Sequence, residues 1–190
     1  ALTGAHNAEN AAAAALVLSQ LGVSTTIIDQ GMGSFAGLPH RLQHVASAGP
    51  ITFVNDSKAT NGVAAARALQ AFENIYWVAG GLAKEDGIGA AVQALEHVTG
   101  AYLIGESTPV FASALEGRCP ATEHGDLRAA TTAAFADAWA GGIAATVLLA
   151  PAAASFDQFE SFAARGDAFT GIARQLAASV GGTGKGDAHA

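Results

Sequence analysis

"ITFVNDSKATN", residues 51–61, changes character abruptly. Its first four residues are β-branched or aromatic and read as a strand. The rest are almost all small and polar, contain no Pro, and lead straight into an Ala-rich helical run. A buried strand that breaks into Asn, Asp, Ser, Lys, Thr and Asn and then into a helix sets the pattern for the rest of the chain.

Upstream, "LQHVASAG" pairs with "ITFVND" as a hairpin turned through Ala48, Gly49 and Pro50. Downstream, the same alternation recurs. "ITFVN" leads to a helix over 60–71, "IYWVAGG" to one over 88–96, and "AYLIG" to one over 108–116. A short polar segment with Cys119 precedes a helix over 127–139, and "AATVLLAP" leads to a last helix over 157–178. Strands and helices that alternate through short connections predict an α/β fold with a mainly parallel sheet covered on both faces. Before the hairpin, Asn7 or Asn10 is placed to cap a helix that runs to Leu21 and closes at Gly22. A second helix spans 24–35, and "GLPHR" breaks the pattern.

The chain has 190 residues, 51% of them hydrophobic, enough for one sizeable packed core. Its formal charge of −7 argues against a nucleic-acid partner, because phosphate contacts need a basic face. No apolar run reaches the roughly 18 residues that span a bilayer. No signal-peptide pattern is visible, and the single Cys119 suits a reducing, cytoplasmic setting. The opening "LTGAHNAEN" reads as the lead-in to a helix rather than a natural amino terminus. The tail over 181–190 reads as disordered; its "GGTGKG" lacks the spacing of a phosphate-binding loop.

In an open α/β sheet, ligands bind beyond the carboxyl ends of the strands. Three polar clusters follow strands here: "NDSKATN", "GGLAKEDG" and "APAAASFDQF". Parallel strands bring all three to one edge. In the first, Asp56 suits a ribose or the orientation of a neighbour, Lys58 suits a phosphate, and Thr60 suits a helix cap. In the second, Gly80 and Gly81 permit a sharp turn, and Lys84 offers a point charge for an anion, or is a solvated lysine beside Glu85 or Asp86. In the third, Ser155 and Gln158 have capping-box spacing, so that Ser155 begins the last helix and the Phe156 amide faces the crevice, where a carboxylate is favoured. Each cluster taken alone also reads as a capped turn. Phe156, Phe159 and Phe162 fall mostly in the core by periodicity, with one of them free to line the pocket, and Trp77 and Trp139 read as core. His97, His124 and His189 read as surface or tail residues, and Cys119 has no partner at metal or nucleophile spacing.

"HNAEN", "GLPHR", "NDSKATN", "GGLAKEDG" and "LLAPAAASFDQFESFAARGDAF" occur in this order. Together they resemble the C-terminal half of the Mur ligases, and among these the members that add D-glutamate, over residues 4 to 178. The resemblance implies a Rossmann-like C-terminal domain over 37–180, preceded over 1–36 by a helical remnant of a central ATPase domain. It implies ATP with Mg2+ as cofactors, D-glutamate and UDP-N-acetylmuramoyl-L-alanine as substrates, and a monomer. The phosphate-binding loop, the magnesium ligands and the UDP site would lie outside this chain, which would then be inactive alone.

By motif match, His6, Asn7 and Asn10 lie by the adenine and phosphates, and Arg41 and Asp56 meet the nucleotide, Asp56 through the ribose. Lys58 faces phosphate and, with Lys84, is catalytic. Thr60 and Lys84 hold the α-carboxylate of D-glutamate; Ser155, the Phe156 amide and Phe162 hold its side-chain carboxylate. The chain departs from the family pattern at Leu82 and Ala83, where some members carry Asp and Gly, and at Ala153, where Cys is frequent. Two other readings stand beside this one: an amide ligase of the folylpolyglutamate synthetase type, and a non-catalytic module that binds an acidic metabolite.

Overall fold

The computed structural model describes residues 4–84 and 87–181. Two helices come first, α1 (Ala5–Gln20) and α2 (Thr25–Ser34), and they pack chiefly on each other. Then follow β1 (Gln43–Ala48), β2 (Ile51–Asn55), α3 (Gly62–Leu69), β3 (Ile75–Gly80), α4 (Gly89–Val92), β4 (Val98–Ile104), α5 (Thr108–Leu115), β5 (Ala121–Glu123), α6 (Leu127–Gly141), β6 (Ala145–Leu149) and α7 (Phe162–Gly181). The six strands form one sheet in the order β1-β2-β6-β3-β4-β5. β1 pairs antiparallel with β2, as the hairpin reading expects, and every other pairing is parallel. The α/β class and the helix-covered parallel sheet are therefore as the alternation predicts.

Successive residues of each central strand face opposite layers, and both layers are apolar. Phe53, Val78, Ile104 and Leu149 pack with Phe135 of α6 and with Phe169 and Ile172 of α7. Their neighbours Val54, Trp77, Leu103 and Leu148 pack with Leu69 of α3 and with Phe111 and Leu115 of α5. Trp77 is fully buried, and its Nε1 donates to the Ala150 carbonyl at 2.7 Å, so the indole is satisfied within the core. Outside these layers, α1 and α2 leave Leu16, Val17, Leu21, Ile27 and Phe35 exposed, and Ile28 is the one fully buried hydrophobic of the pair among the described residues.

Several local expectations change. Helix α1 starts at Ala5 behind Gly4, so Asn7 and Asn10 lie inside it and neither is its N-cap residue. The helix after β2 is capped by Asn61, whose side chain accepts from the Ala64 N–H at 2.9 Å; Thr60 stays in the loop. The helix expected over 88–96 shortens to the single turn α4, which starts at Gly89, a poor helix former. The polar segment after Cys119 supplies a sixth strand, β5. Trp139 packs on Phe135 but stays 45% exposed, at the end of an Ala-rich helix that reaches the sheet with its small face. The tail over 182–190 lies outside the described residues.

β3 ends where the backbone must pass very close to its neighbours. Gly80 has φ 123°, and a Cβ there would fall on the Ile104 carbonyl oxygen; at Gly81, with φ 137°, it would fall on that of Ala154. The expected outcome for Gly80→Ala is a loss of about 3 kcal/mol or more in unfolding free energy. Gly31→Ala, in α2 with nothing within 4 Å, should instead gain about 0.5–1 kcal/mol. Chemical denaturation of the two variants checks both.

Candidate functional site

Arg165, in the first turns of α7, is 1% exposed. Its guanidinium reaches three strand-end loops at once. Nε donates to Ser57 Oγ at 3.0 Å and Nη2 to the Ser57 carbonyl at 3.1 Å, in the loop after β2. Nη1 donates to the Gly80 carbonyl at the end of β3 at 3.3 Å. The carbonyls of Ala153 and Ala154, after β6, accept from Nη2 at 3.0 Å and from Nη1 at 3.3 Å. All these acceptors are neutral. Burial pulls the Arg165 pKa down to about 10, partly offset by the nearby Asp157 charge, so it remains cationic at neutral pH. A planar fork of five donors fits this task and a lysine does not.

The β2 side of the site is built from the chain around Asn55, which is fully buried. Its Nδ2 donates to the Gly166 carbonyl (2.9 Å) and to Thr170 Oγ1 (3.1 Å), and meets His40 Nδ1 at 3.1 Å; its Oδ1 accepts from the Ser57 N–H at 3.1 Å. The His40 carbonyl in turn accepts from the Lys58 N–H at 3.1 Å. Asp56 Oδ1 accepts from the Leu42 N–H at 3.3 Å. Burial pushes the Asp56 carboxyl up to about 6, against the opposing effects of that hydrogen bond and of the Arg41 charge. Arg41 itself is exposed. The Lys58 ammonium lies over the Phe162 ring, 4.2 Å from its centroid.

On the other side, the loops after β3, β4 and β6 are laced together. Leu82 and Ala154 exchange backbone hydrogen bonds at 2.9 and 3.0 Å, Gly81 N–H donates to Ser107 Oγ at 3.1 Å, and Ser107 N–H donates to the Gly81 carbonyl at 2.8 Å. Lys84 is exposed at the end of this segment, and Glu85 and Asp86, its expected ion-pair partners, lie outside the described residues.

Ser155 is buried but does not start α7. Its carbonyl closes one isolated turn, accepting from the Gln158 and Phe159 N–H groups at 3.1 and 2.8 Å. Helix α7 begins at Phe162, with Ser161 Oγ accepting from the Ala164 N–H at 3.0 Å. The reason lies in where the side chains go. Gln158 Nε2 donates to the Gly125 carbonyl (2.8 Å), and Asp157 accepts from the Glu106 N–H (3.1 Å), so both turn outward to neighbouring loops. Phe156 is 70% exposed and Phe162 half-buried outside the core clusters, which corrects their placing in the core, whereas Phe159, half-buried, packs against the layer of α6 and α7 as expected.

The structure thus gathers Asp56, Lys58, Thr60 and Phe162 at one end of the crevice, with Ser155 in the neighbouring loop that Arg165 ties to it. Asn7 and Asn10, and His6 with its side chain outside the description, belong to α1, which packs on α2. A separate cleft of about 490 Å³ opens at the β4–β5 edge, lined by Glu106, Thr108, Glu123, His124, Asp157 and Gln158. Its three carboxylates disfavour an anion there, and the Lys58 ammonium stands at the other end of the rim. Among the described residues, no group of three or more His, Cys, Asp or Glu is arranged to hold a metal ion. Sequence reading gave Arg165 no role; the one signal was a lone cation inside the apolar run "SFAARGDAF".

Residues 40–153 match the family model described as "Mur ligase, glutamate ligase domain". The UDP-N-acetylmuramoylalanine–D-glutamate ligase of Phenylobacterium zucineum is 47% identical over 176 residues, which are 93% of this chain and 38% of that protein. The ligase of the same name from Rhizobium meliloti is 49% identical over 171 residues, 90% of this chain and 37% of its own length. The chain therefore spans little more than a third of these relatives. Among solved structures, the UDP-N-acetylmuramate–alanine ligase MurC of Thermotoga maritima superposes with a TM-score of 0.66 at 16% identity, over 92% of this chain and 39% of that one. That likeness concerns the fold alone.

Two outcomes test the site's architecture. Arg165→Lys keeps the charge but leaves buried carbonyls without donors. It should cost about 2–4 kcal/mol of stability, whereas Arg174→Lys, on the exposed side of α7, should stay within about 0.5 kcal/mol. Asp56 binds its proton more tightly in the folded state than in the unfolded one. Its burial therefore costs nothing below about pH 4 and destabilises increasingly as pH rises through about 6. Asp56→Asn should unfold like the parent at pH 4 and be about 1–2 kcal/mol more stable at pH 7.5, measured by urea denaturation across that range.

Proposed function

This chain belongs to the Mur ligase family, and on that premise we propose that it is the C-terminal part of the ligase that adds D-glutamate to UDP-N-acetylmuramoyl-L-alanine in cytoplasmic synthesis of peptidoglycan precursors. Residues 37–180 form the amino-acid-binding domain, and residues 1–36 close a central ATPase domain. The apolar residues exposed on α1 and α2 support that division, because a helix pair with so little buried surface of its own needs a larger body to pack on. The enzyme is a monomer, and the parts that complete the ATP and UDP sites lie in the rest of the protein, so this portion does not turn over alone.

The reaction consumes one ATP per amide bond. The L-alanyl carboxylate takes the γ-phosphoryl group to give an acyl phosphate and ADP. The D-glutamate amine, as its free base, attacks the acyl carbon, and the tetrahedral intermediate expels phosphate. The demands on the protein are positioning and neutralisation of concentrated negative charge. The observation that carries the reading is the rim itself: Arg165 ties together the loops after β2, β3 and β6, which bear Asp56, Lys58, Thr60, Lys84 and Ser155. A dicarboxylic amino acid needs two separated anion sites, and this rim offers Thr60 with Lys84 for one and Ser155 with the Phe156 amide for the other.

Arg41 and Asp56 serve the nucleotide, Asp56 through the ribose hydroxyls, with His6, Asn7 and Asn10 completing the adenine and phosphate contacts from α1. Lys58 faces the phosphate. Its ammonium lies over the Phe162 ring, and no described carboxylate is within ion-pairing distance of it. Magnesium supplies charge neutralisation on the ATP phosphates when bound. The residues described in this chain do not form a site for it by themselves.

The test is phosphate release by the full-length protein with ATP, magnesium and UDP-N-acetylmuramoyl-L-alanine. D-glutamate alone should support release, and L-glutamate, L-alanine or a diamino acid should not. Release with another amino acid would reassign the substrate, and none with any would favour a non-catalytic acid-binding module. In the same assay Lys84→Ala should raise KM for D-glutamate about tenfold or more and leave KM for ATP nearly unchanged. Equal losses for both would remove Lys84 from the amino-acid site.

A further inference from the structure

We propose that Phe162 acts on the reaction through Lys58: the face of its ring is a platform that holds the Lys58 ammonium at the phosphate end of the crevice, which makes the Phe162 side chain a positioning residue. The proposal rests on the ligase reading for its catalytic consequence, but its geometry stands on the structure.

The ring and the lysine are each held from behind. Phe162 opens α7, and its carbonyl accepts from Ser57 Oγ at 2.7 Å, so the residue is anchored to the loop that carries Lys58. Ser57 Oγ also accepts from Arg165, which ties the same anchor to the rim. The edge of the Phe162 ring meets the His40 ring, with centroids 6.2 Å apart and planes at 79°. His40 is itself fixed by Asn55, and its carbonyl accepts from the Lys58 N–H. The lysine backbone, the histidine and the phenylalanine therefore form a closed loop of contacts, and what remains is the ring face, over which the Lys58 Nζ lies at 4.2 Å from the centroid.

The chemistry explains why a ring should stand here. A carboxylate partner would fix the ammonium but cancel the charge that a phosphate needs. An aromatic face attracts the cation through its quadrupole, restricts the four-carbon stem and leaves the net charge intact. Among the described residues, the one basic side chain within 4 Å of a carboxylate is His40, 3.7 Å from Asp167, and Lys58 has no such partner. Asp56, the nearest acid in sequence, turns to the Leu42 N–H instead.

Two measurements on the full-length protein test this. With lysine labelled at 13Cε, the Lys58 signal, identified by its loss in Lys58→Arg, should show an upfield ring-current shift that disappears in Phe162→Leu. In steady-state kinetics, Phe162→Leu should lower kcat about 3- to 30-fold with little change in KM for D-glutamate, and Phe162→Trp should restore most of the loss. An unshifted Lys58 signal, or a Phe162→Leu enzyme that raises KM for D-glutamate at unchanged kcat, would overturn the platform. If the protein proves to have no ligase activity, the ring-current shift still decides the platform, and only its catalytic consequence falls with the ligase reading.

Discussion

A guanidinium buried among carbonyl oxygens is the constraint on which the rest of this edge of the sheet depends. Arg165 has no carboxylate among its hydrogen-bond acceptors, and beyond the partial help of the Asp157 charge its desolvation is offset by giving all of its donors acceptors. Those acceptors lie in three loops that are far apart in sequence. The requirement acts in both directions: the loops close around the arginine because it must be satisfied, and the arginine adds to the backbone hydrogen bonds that already lace them together. The β2, β3 and β6 ends become one rim with a fixed spacing, whereas three separate turns would each move on their own.

That rim is separated from the core by a sharp change in chemistry. The two apolar layers end at Leu149 and Val78, and within a few residues the chain must supply tight turns, backbone donors and charges. Gly80 and Gly81 allow the backbones to approach at a distance no side chain tolerates. Asp56 is held where burial opposes its charge, an arrangement that lowers stability at neutral pH. At the β4–β5 edge Glu106, Glu123 and Asp157 line an acidic cleft, and the Asp157 charge also acts on Arg165.

Much of this was legible in advance. The strand and helix alternation from Ile51 onward is visible as runs such as "ITFVN" and "TVLLAP", because a strand buried on both faces must be apolar at consecutive positions. The polar clusters after three of these strands pointed to one edge, because parallel strands end together. The local errors share one cause. Ser155 and Gln158 have the spacing of a helix cap, but Gly125 and Glu106, distant in sequence, capture the Gln158 and Asp157 side chains first. Thr60 looks as good a cap as Asn61 until the loop's own hydrogen bonds decide between them.

What the sequence determined by itself is the class of fold, the edge at which its polar clusters gather, and the family whose motifs occupy that edge. These follow from short-range patterns: the period of the apolar residues, the turn residues between them, and motif order. What only the tertiary structure decided is which side chains cooperate. The role of Arg165, the corner formed by His40, Asn55 and Gly166, and the ring beneath Lys58 all join residues about a hundred or more positions apart. No local pattern encodes such contacts, because a buried polar group is satisfied by whatever the folded chain brings within about 3 Å of it.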